Sequence, residues 1–421
     1  MKFTKLLTII LGAFIIMSCT TKNEKELPAK QNIFSLSEAD YQSILKESIV
    51  SLGNTYRLKA VLKKLKKGDN VTLAALGGSV TEGAGPANFT DGYAYQFYRA
   101  MKAKYAKADG ENFVFNNAGL SGTPSQLGLV RYQKDVVEVL GQTPDILIVE
   151  FAVNDGGDDF SQRAFEAIVR DALSANPETA VIALYSAATY GNTGAQKRPI
   201  AKHYQIPQLD ILTAIKPFLD SGKIQKEAYY SDYVHPTFEG HQLMCECLMN
   251  MVDLIDKADK EEAAAVPENF VIQKPFSGMK MITGDDENVK ISAGSFCESD
   301  ANCQTIKKTN KSNFPQNWYK PSASDNTPFK MDITCKNLIL TYKVQGSWAS
   351  EKFGSAEVYV DGKKLEDANG GWNGGKDGGW NNCEPRLIID EEKAAKHSVE
   401  IKMAPGSESK GFTIVCMGYS L

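Results

Sequence analysis

A serine, a histidine and an aspartate in this chain have the spacing of a group that attacks a carbonyl by nucleophilic catalysis. Ser79 lies in the stretch Gly77-Gly-Ser-Val-Thr-Glu-Gly83, directly after the apolar run 71–76. The glycines before the serine let the chain turn sharply and leave room for a substrate. About 150 residues downstream, Asp232-Tyr-Val-His235 supplies a base and a carboxylate that can orient it. Because a serine hydroxyl is a weak nucleophile until a base removes its proton, this combination predicts a triad of Ser79, His235 and Asp232.

Each of these residues also has a structural interpretation. Ser79 could be a helix N-cap, and His235 could be a structural hydrogen-bond donor before Pro236. Asp232 could be a surface charge, and Asn154 with the aspartate after it could form a capping turn. We favour the catalytic interpretation because the residues occur together and in order.

The elements around Ser79 predict an α/β domain over residues 36–257. Apolar runs that read as strands alternate with helical patterns, so we expect a parallel sheet covered on both faces. The predicted strands are 71–76, 112–116, 145–151 and 180–185, and the predicted helices include 92–107, 126–140, 161–175 and 237–256. Ligands bind such sheets at the carboxyl ends of the strands, and Ser79 follows one of those ends.

Two more blocks follow predicted strands and should meet Ser79 at the same sheet edge. They are Asn117-Ala-Gly-Leu-Ser-Gly122 and Phe151-Ala-Val-Asn-Asp155. With the serine block and the Asp232–His235 block, this order resembles the SGNH (GDSL-like) hydrolase family. The family usually has Asp before the serine, whereas this chain has Gly78, as some family members do.

The resemblance implies a flavodoxin-like three-layer α/β/α fold with a parallel sheet. It also implies that the oxyanion formed during attack is bound by three donors. These would be the backbone N–H groups of Ser79 and Gly119 and the side-chain amide of Asn154. No metal or other cofactor is expected, because the four histidines show no ligand spacing and no glycine loop matches a nucleotide fingerprint.

The N-terminus resembles a bacterial lipoprotein signal. Lys2 and Lys5 precede the apolar stretch 6–17, which is short for a membrane span, and Ser18-Cys19 follows. We expect cleavage of the signal 1–18, lipidation of Cys19 and a polar tether over 19–35, so the protein would be anchored to a membrane surface outside the cytoplasm. The alternative is an ordinary secretory signal with a chance cysteine.

Beyond a charged and Ala-rich linker at 258–269, the pattern changes to short alternating runs bounded by turns. Residues 270–421 are therefore predicted to form an all-β sandwich, jelly-roll-like domain, with strands within 338–344, 356–362, 387–390, 397–402 and 412–416. The near-repeat Gly-Gly-Trp-Asn places Trp372 and Trp380 in a Gly-rich segment. These rings suit stacking on the apolar face of a sugar, or else they fill the core or the domain interface.

The charge and cysteine content bear on which partners and which cross-links the protein can have. The net charge is −4 with no basic cluster, so nucleic acid is not expected. Seven cysteines follow Cys19; Cys245 and Cys247 read as buried thiols, and Cys297–Cys303 is the closest pair for a disulfide. Together the sequence predicts a surface-anchored serine esterase that removes acyl groups, foremost acetyl, from a carbohydrate. The alternatives are a lipase- or thioesterase-like acylhydrolase and a catalytically silent glycan-binding lipoprotein.

Overall fold

The computed structural model describes residues 33–282, 286–306, 311–345, 351–371 and 382–421. The predicted signal 1–18, Cys19, Trp372 and Trp380 lie outside these ranges, as does nearly all of the predicted tether. Residues 32–421 belong to one compact unit. Within the described ranges, no helix combines the length and the apolar character needed to cross a membrane.

The first part of the chain alternates strands with helices. Its strands are β1 Ile49–Ser51, β2 Val71–Gly77, β3 Phe113–Gly119, β4 Ile146–Glu150, β5 Ala180–Tyr185 and β6 Gln208–Asp210. Its helices are α1 Glu38–Glu47, α2 Tyr56–Lys67, α3 Ser79–Glu82, α4 Tyr93–Tyr105, α5 Ser125–Tyr132, α6 Asp159–Ala175, α7 Gly194–His203, α8 Ile211–Asp220, α9 Lys226–Tyr229 and α10 Phe238–Lys257. A π-helical segment, Gln133–Glu138, continues α5.

The six strands of this part form one sheet in the order β1-β6-β5-β4-β2-β3. All neighbours are parallel except the short edge pair β1–β6, which is antiparallel. The parallel order β3-β2-β4-β5-β6 is that of a flavodoxin-like, doubly wound sheet. The chain crosses from β3 over β2 to β4, so the carboxyl end of β2, where Ser79 stands, is the topological switch point at which such folds bind ligands.

Both faces of the sheet are covered by helices, which explains why β2, β4 and β5 are buried along their whole length. One core is built with buried side chains of α1, α2, α4, α8 and α10. The other is built with those of α5, α6 and α7. The predicted three-layer α/β/α fold is thus confirmed.

The second part is an antiparallel sheet system. Its strands are β7 Lys280–Met281, β8 Val289–Ser292, β9 Thr305–Ile306, β10 Lys311–Ser312, β11 Trp318–Lys320, β12 Phe329–Val344, β13 Ser355–Val360, β14 Lys363–Lys364, β15 Ala368–Asn369, β16 Asn382–Met403 and β17 Phe412–Ser420. The long strand β12 pairs with β16 on one side, and on the other with β8 and then β17 along its length. The predicted all-β class of this part is confirmed.

One element differs from the sequence-based expectation. The predicted strands 387–390 and 397–402 are joined in the single strand β16. Opposite β12, Asn337 pairs with Asp390 and Cys335 with Ala395, so residues 391–394 bulge out of the ladder. The charged run Glu391-Glu-Lys393 resembles a turn in sequence, but it is accommodated as a bulge because both flanking segments pair with the same partner strand.

The two parts share a hydrophobic core. Side chains of α5 and α6 pack in one cluster with β-part residues that include Phe276, Ile339 and Val415. Arg163 of α6 forms two hydrogen bonds to the Asp390 carboxylate, at 2.7 and 3.1 Å, and its guanidinium lies 4.0 Å from the Phe276 ring centroid. These contacts fix the β part against the helices on one face of the sheet.

The expectation of a disulfide is not met in the described residues. All seven cysteines from Cys245 onward are free thiols, including Cys297 and Cys303, and only Cys297 is exposed. The other six are buried in the cores, where a thiol packs like a small apolar side chain. Burial raises the pKa of Cys245 and Cys247 to about 12.

Candidate active site

Ser79 stands where β2 ends and the single-turn helix α3 begins. Gly78 occupies the N-cap position, so Ser79 is the first helical residue and not the cap. Its side chain is hydrogen-bonded to His235. The serine is 6% exposed, so it is nearly buried.

Asp232, His235 and Ser79 form a continuous hydrogen-bonded chain. The Ser79 Oγ to His235 Nε2 distance is 2.8 Å, and the His235 Nδ1 to Asp232 Oδ2 distance is 2.6 Å. With Nδ1–H donating to the carboxylate, Nε2 is left to accept the serine proton. The segments that carry Ser79 and His235 come from distant parts of the chain, and the N-cap of α10 helps to place the His235 segment. Thr237 Oγ1 accepts from Gly240 N and starts that helix two residues after the histidine.

The Asp232 carboxylate is held by its own turn. Its Oδ1 accepts hydrogen bonds from the backbone N–H groups of Val234 and His235, both at 2.8 Å, while Oδ2 faces the imidazole. Partial burial would raise the pKa of Asp232, but the hydrogen bonds from His235 and Val234 outweigh it and lower this pKa below its usual range. The carboxylate therefore remains ionised and fixes the histidine tautomer.

Asn154 lies against the backbone of the serine loop. A Cβ built on Gly78 would stand 2.0 Å from Asn154 Oδ1 and 2.8 Å from Asn154 Cγ. This contact explains why the chain has glycine before the serine. The amide oxygen is buried without a hydrogen-bond partner in the described residues, and the amide nitrogen donates to none of them. The nitrogen is thus available to an oxyanion formed beside Ser79.

Gly119 does not offer the free donor expected from the sequence. It ends β3, and its N–H donates to Asn117 Oδ1 at 2.9 Å. Glycine is required there for another reason, because a Cβ would stand 2.1 Å from Glu82 N. Among the described residues the N–H of Gly122 has no acceptor, and this residue has a φ of +71° in the turn after β3. Gly122 is the second glycine of the block 117–122, and the sequence-based expectation named only the first, Gly119.

Buried polar groups hold the two loops beside Ser79. Glu82 Oε2 accepts from the N–H of Ser121 at 3.0 Å and from its hydroxyl, which ties the Gly122 turn to the helix of Ser79. Arg131, almost fully buried, donates to Gly77 O at 2.9 Å and to Ala118 O at 2.7 Å. These bonds satisfy strand-end carbonyl groups that would otherwise be buried without a partner.

Below the nucleophile lies a buried carboxylate, Glu150 at the end of β4. It accepts hydrogen bonds from Ser186 Oγ and from Thr81 Oγ1, the latter at 3.1 Å. Burial raises the pKa of Glu150 to about 7, although the bonds from Ser186 and Thr81 act against this shift. Thr81 Oγ1 is also 2.9 Å from Tyr93 OH, so the network reaches into α4 and supports the turn that carries Ser79.

Asp155, beside Asn154, is structural. Its Oδ1 accepts from Ser125 N at 2.7 Å, and its Oδ2 lies 3.0 Å from Lys197 Nζ in an ion pair whose side chains are both 0% exposed. Burial raises the pKa of Asp155 and the lysine opposes that shift.

His203 and His241 both lie outside the triad. His203 faces Asn269 O, and His241 is buried between Tyr93 N and Ala84 O.

The β part reaches the catalytic loops. The Cys383 thiol donates to Gly122 O at 3.5 Å, which brings β16 against the turn after β3. Trp318, the one tryptophan of the described residues, is partly buried and packs against Phe329 of the β core at a ring-centroid distance of 5.5 Å. Among the described residues, no group of three or more His, Cys, Asp or Glu side chains is arranged to hold a metal ion.

Comparison with known proteins agrees with this fold. Residues 75–243 match the model of the GDSL-like lipase/acylhydrolase family. Two crystal structures of a two-domain esterase (CEX) active on acetylated mannans, the second co-crystallized with mannopentaose, share the fold. Their TM-scores are 0.77 and 0.76, at 24% and 23% identity, and the match covers 89% of this chain and 98% and 97% of theirs. A search of curated proteins by sequence finds no match.

Residues 75–243 therefore form a GDSL-like acylhydrolase domain, and the resemblance drawn from the four sequence blocks is confirmed. The matched domain is of the carboxylic ester hydrolase class, and it is followed by an all-β domain.

Proposed function

We propose that this protein is a serine esterase that removes acetyl groups from a carbohydrate. The hydrogen-bonded chain Asp232–His235–Ser79 carries this proposal, because it supplies a nucleophile, a base and an orienting carboxylate in contact. The carbohydrate substrate is supported by the similar two-domain fold of the esterase active on acetylated mannans.

The reaction would run through an acyl-enzyme. Ser79 Oγ attacks the ester carbonyl carbon while its proton passes to His235 Nε2. The tetrahedral intermediate then breaks its bond to the sugar oxygen, which takes the proton from the imidazolium and leaves as the hydroxyl. Water, deprotonated by the same histidine, attacks the acetyl-serine, and acetate leaves as Ser79 recovers its proton. Asp232 stabilises the imidazolium in both halves.

We assign the oxyanion donors as the N–H of Ser79, the Asn154 amide nitrogen and the N–H of Gly122. Gly122 replaces the expected Gly119, whose N–H is already given to Asn117. Preorganised donors of this kind are worth about 3–4 kcal/mol of barrier each. Because the Ser121 bonds to Glu82 fix the turn, the Gly122 donor would be set before substrate arrives.

The test is acetate release from a panel of acetylated poly- and oligosaccharides. The protein lacking residues 1–19 is compared with its Ser79→Ala variant, and both are treated with a fluorophosphonate probe. Release and labelling that vanish in the variant support the proposal. Equal turnover of long-chain and acetyl esters would favour a lipase-like enzyme. No release and no labelling of the wild type, with tight glycan binding, would favour the silent binding protein.

We also propose that the protein is exported, lipidated on Cys19 and held on a membrane of the bacterial envelope. Support comes from Lys2 and Lys5, the apolar stretch 6–17 and the small residue before the cysteine. A Cys19→Ser variant expressed in full length should lose labelled fatty acid and leave the membrane fraction. Retention of both label and membrane association in this variant would refute the anchor.

A further inference from the structure

Two tyrosines beside the triad expose their rings. Tyr190 is 61% exposed and Tyr233 is 47% exposed, and both are among the few large hydrophobic side chains on the surface of the described residues. Their ring centroids are 6.1 Å apart with an interplanar angle of 43°. We call this pair the tyrosine platform.

The platform is fixed to the catalytic loops at both ends. Tyr233 lies between Asp232 and His235 in the chain. Its carbonyl accepts from Thr189 N at 2.9 Å and from Thr189 Oγ1 at 2.8 Å, which ties the Tyr190 loop to the triad loop. The Tyr190 hydroxyl donates to Val153 O at 2.9 Å, directly before Asn154. The loops that carry the two rings are thus tied to the segments of His235 and Asn154.

Their surroundings point to a neutral ligand with an apolar face. Burial of its anchored end, together with Tyr233, Glu150 and Asp232, raises the pKa of the Tyr190 hydroxyl to about 12. An anionic ligand group would meet repulsion from the Asp232 carboxylate, which stays ionised. Because the Tyr190 hydroxyl is held by Val153, the ring is ordered before binding, and stacking on it costs little conformational entropy.

We propose that the tyrosine platform binds a neutral sugar ring of the substrate next to the acetylated one, by stacking against its C–H face. This inference rests on the proposed esterase function and extends it to a subsite built by the α/β domain itself. The platform would orient the saccharide so that the acetyl carbonyl reaches Ser79. It predicts that longer oligosaccharides bind better than single sugars.

The test uses Tyr190→Ala and Tyr190→Phe in the full chain, with Leu254→Ala as a control. Leu254 is also an exposed apolar residue, but it lies near the far end of α10, 16 residues from the helix start and hence about 24 Å away. Acetate release is measured with acetylated mannooligosaccharides and with ethyl acetate, which has no ring. Binding of mannopentaose is measured by calorimetry in the Ser79→Ala background.

Tyr190→Ala should raise KM for the acetylated oligosaccharide about tenfold and weaken mannopentaose binding similarly. The fall in kcat/KM for ethyl acetate should be several times smaller. Tyr190→Phe, which keeps the ring, should stay within about threefold, and Leu254→Ala should match the wild type. Equal losses of kcat/KM on both esters, or unchanged mannopentaose binding in Tyr190→Ala, would overturn the proposed sugar subsite.

The two proposals fail separately. A wild type that cleaves ethyl acetate but no acetylated saccharide would refute the carbohydrate esterase. In that case the platform still stands if mannopentaose binds and Tyr190→Ala weakens it, and it falls if the pentaose does not bind. A loss in Tyr190→Ala that grows with acyl length, and not with saccharide length, would assign the rings to the acyl chain and overturn the sugar subsite.

Discussion

Gly78 and Asn154 are in such close contact that no side chain can replace the glycine hydrogen without moving the amide. A Cβ on residue 78 would stand 2.0 Å from Asn154 Oδ1. We therefore expect Gly78→Ala to fold but to displace the Asn154 amide, lowering kcat for ester hydrolysis by about 100-fold. Steady-state kinetics, with thermal unfolding as the check on folding, measures this.

The double variant tests whether the loss passes through the amide. Asn154→Ala alone should lower kcat by about 100- to 1000-fold while the protein stays folded. Because the shortened side chain no longer meets residue 78, Gly78→Ala combined with Asn154→Ala should cost little beyond Asn154→Ala alone. Fully multiplicative losses would show that Gly78 acts independently of Asn154.

The orientation of Asp232 predicts the result of Asp232→Asn. Because Oδ1 accepts two backbone N–H groups, the amide nitrogen of an asparagine would have to face His235 Nδ1. The histidine would then carry its proton on Nε2 and could not accept the Ser79 proton. We expect kcat to fall by about 1000- to 10,000-fold with the fold intact. A variant that keeps a tenth of the activity would contradict the role given to Asp232.

Glu150 should make the free energy of unfolding depend on pH. Its pKa is raised from 4.5 to about 7 by burial, so between these pH values the unfolded chain loses the proton while the folded protein keeps it. Stability should thus fall as pH rises through this window, by up to about 3 kcal/mol.

Glu150→Gln removes this titration while its amide can still bond to Thr81 and Ser186. Chemical denaturation at pH 5 and pH 8 should show a smaller loss of stability in Glu150→Gln than in the wild type. The control Glu408→Gln changes an exposed carboxylate and should keep the wild-type difference. Identical pH dependence in wild type and Glu150→Gln would show that Glu150 is ionised throughout.

The Arg163–Asp390 pair should contribute to the coupling of the α/β and β parts. Arg163→Ala removes two hydrogen bonds and the contact with Phe276, and leaves the Asp390 carboxylate with Asn337 and the more distant Lys274. We expect a loss of about 2–3 kcal/mol, because the arginine side chain is only 8% exposed.

Calorimetry can test this coupling with Lys216→Ala as the control. Lys216 pairs with Asp220 on the surface, so its removal should change stability by less than about 0.5 kcal/mol. In Arg163→Ala, the β part should unfold at a lower temperature than the α/β part. A change no larger than that of Lys216→Ala would argue against this coupling.

Thiol reactivity should separate one cysteine from the other six described. Cys297 is exposed, whereas Cys303 is buried and its pKa is raised well above the usual range by burial. In the protein lacking residues 1–32, a thiol reagent should label one cysteine quickly in the native state and seven after denaturation, without reductant. Five labels after denaturation without reductant, and seven with it, would reveal a disulfide.

The sequence determined the features that depend on neighbouring residues. The apolar run before Ser79 specifies a buried strand, and the glycines after it specify the turn. The three-residue spacing of Asp232 and His235 lets the carboxylate cap its own turn and face the imidazole. The order of the blocks after successive strands also predicts a shared sheet edge, because parallel strands bring their carboxyl ends together.

Only the tertiary structure decided contacts between distant segments. The approach of Asn154 to Gly78 and the tie between Thr189 and Tyr233 depend on how strand-end loops meet, which no local pattern encodes. These contacts join residues from several loops at once, so packing at the sheet edge settles them and the local sequence does not.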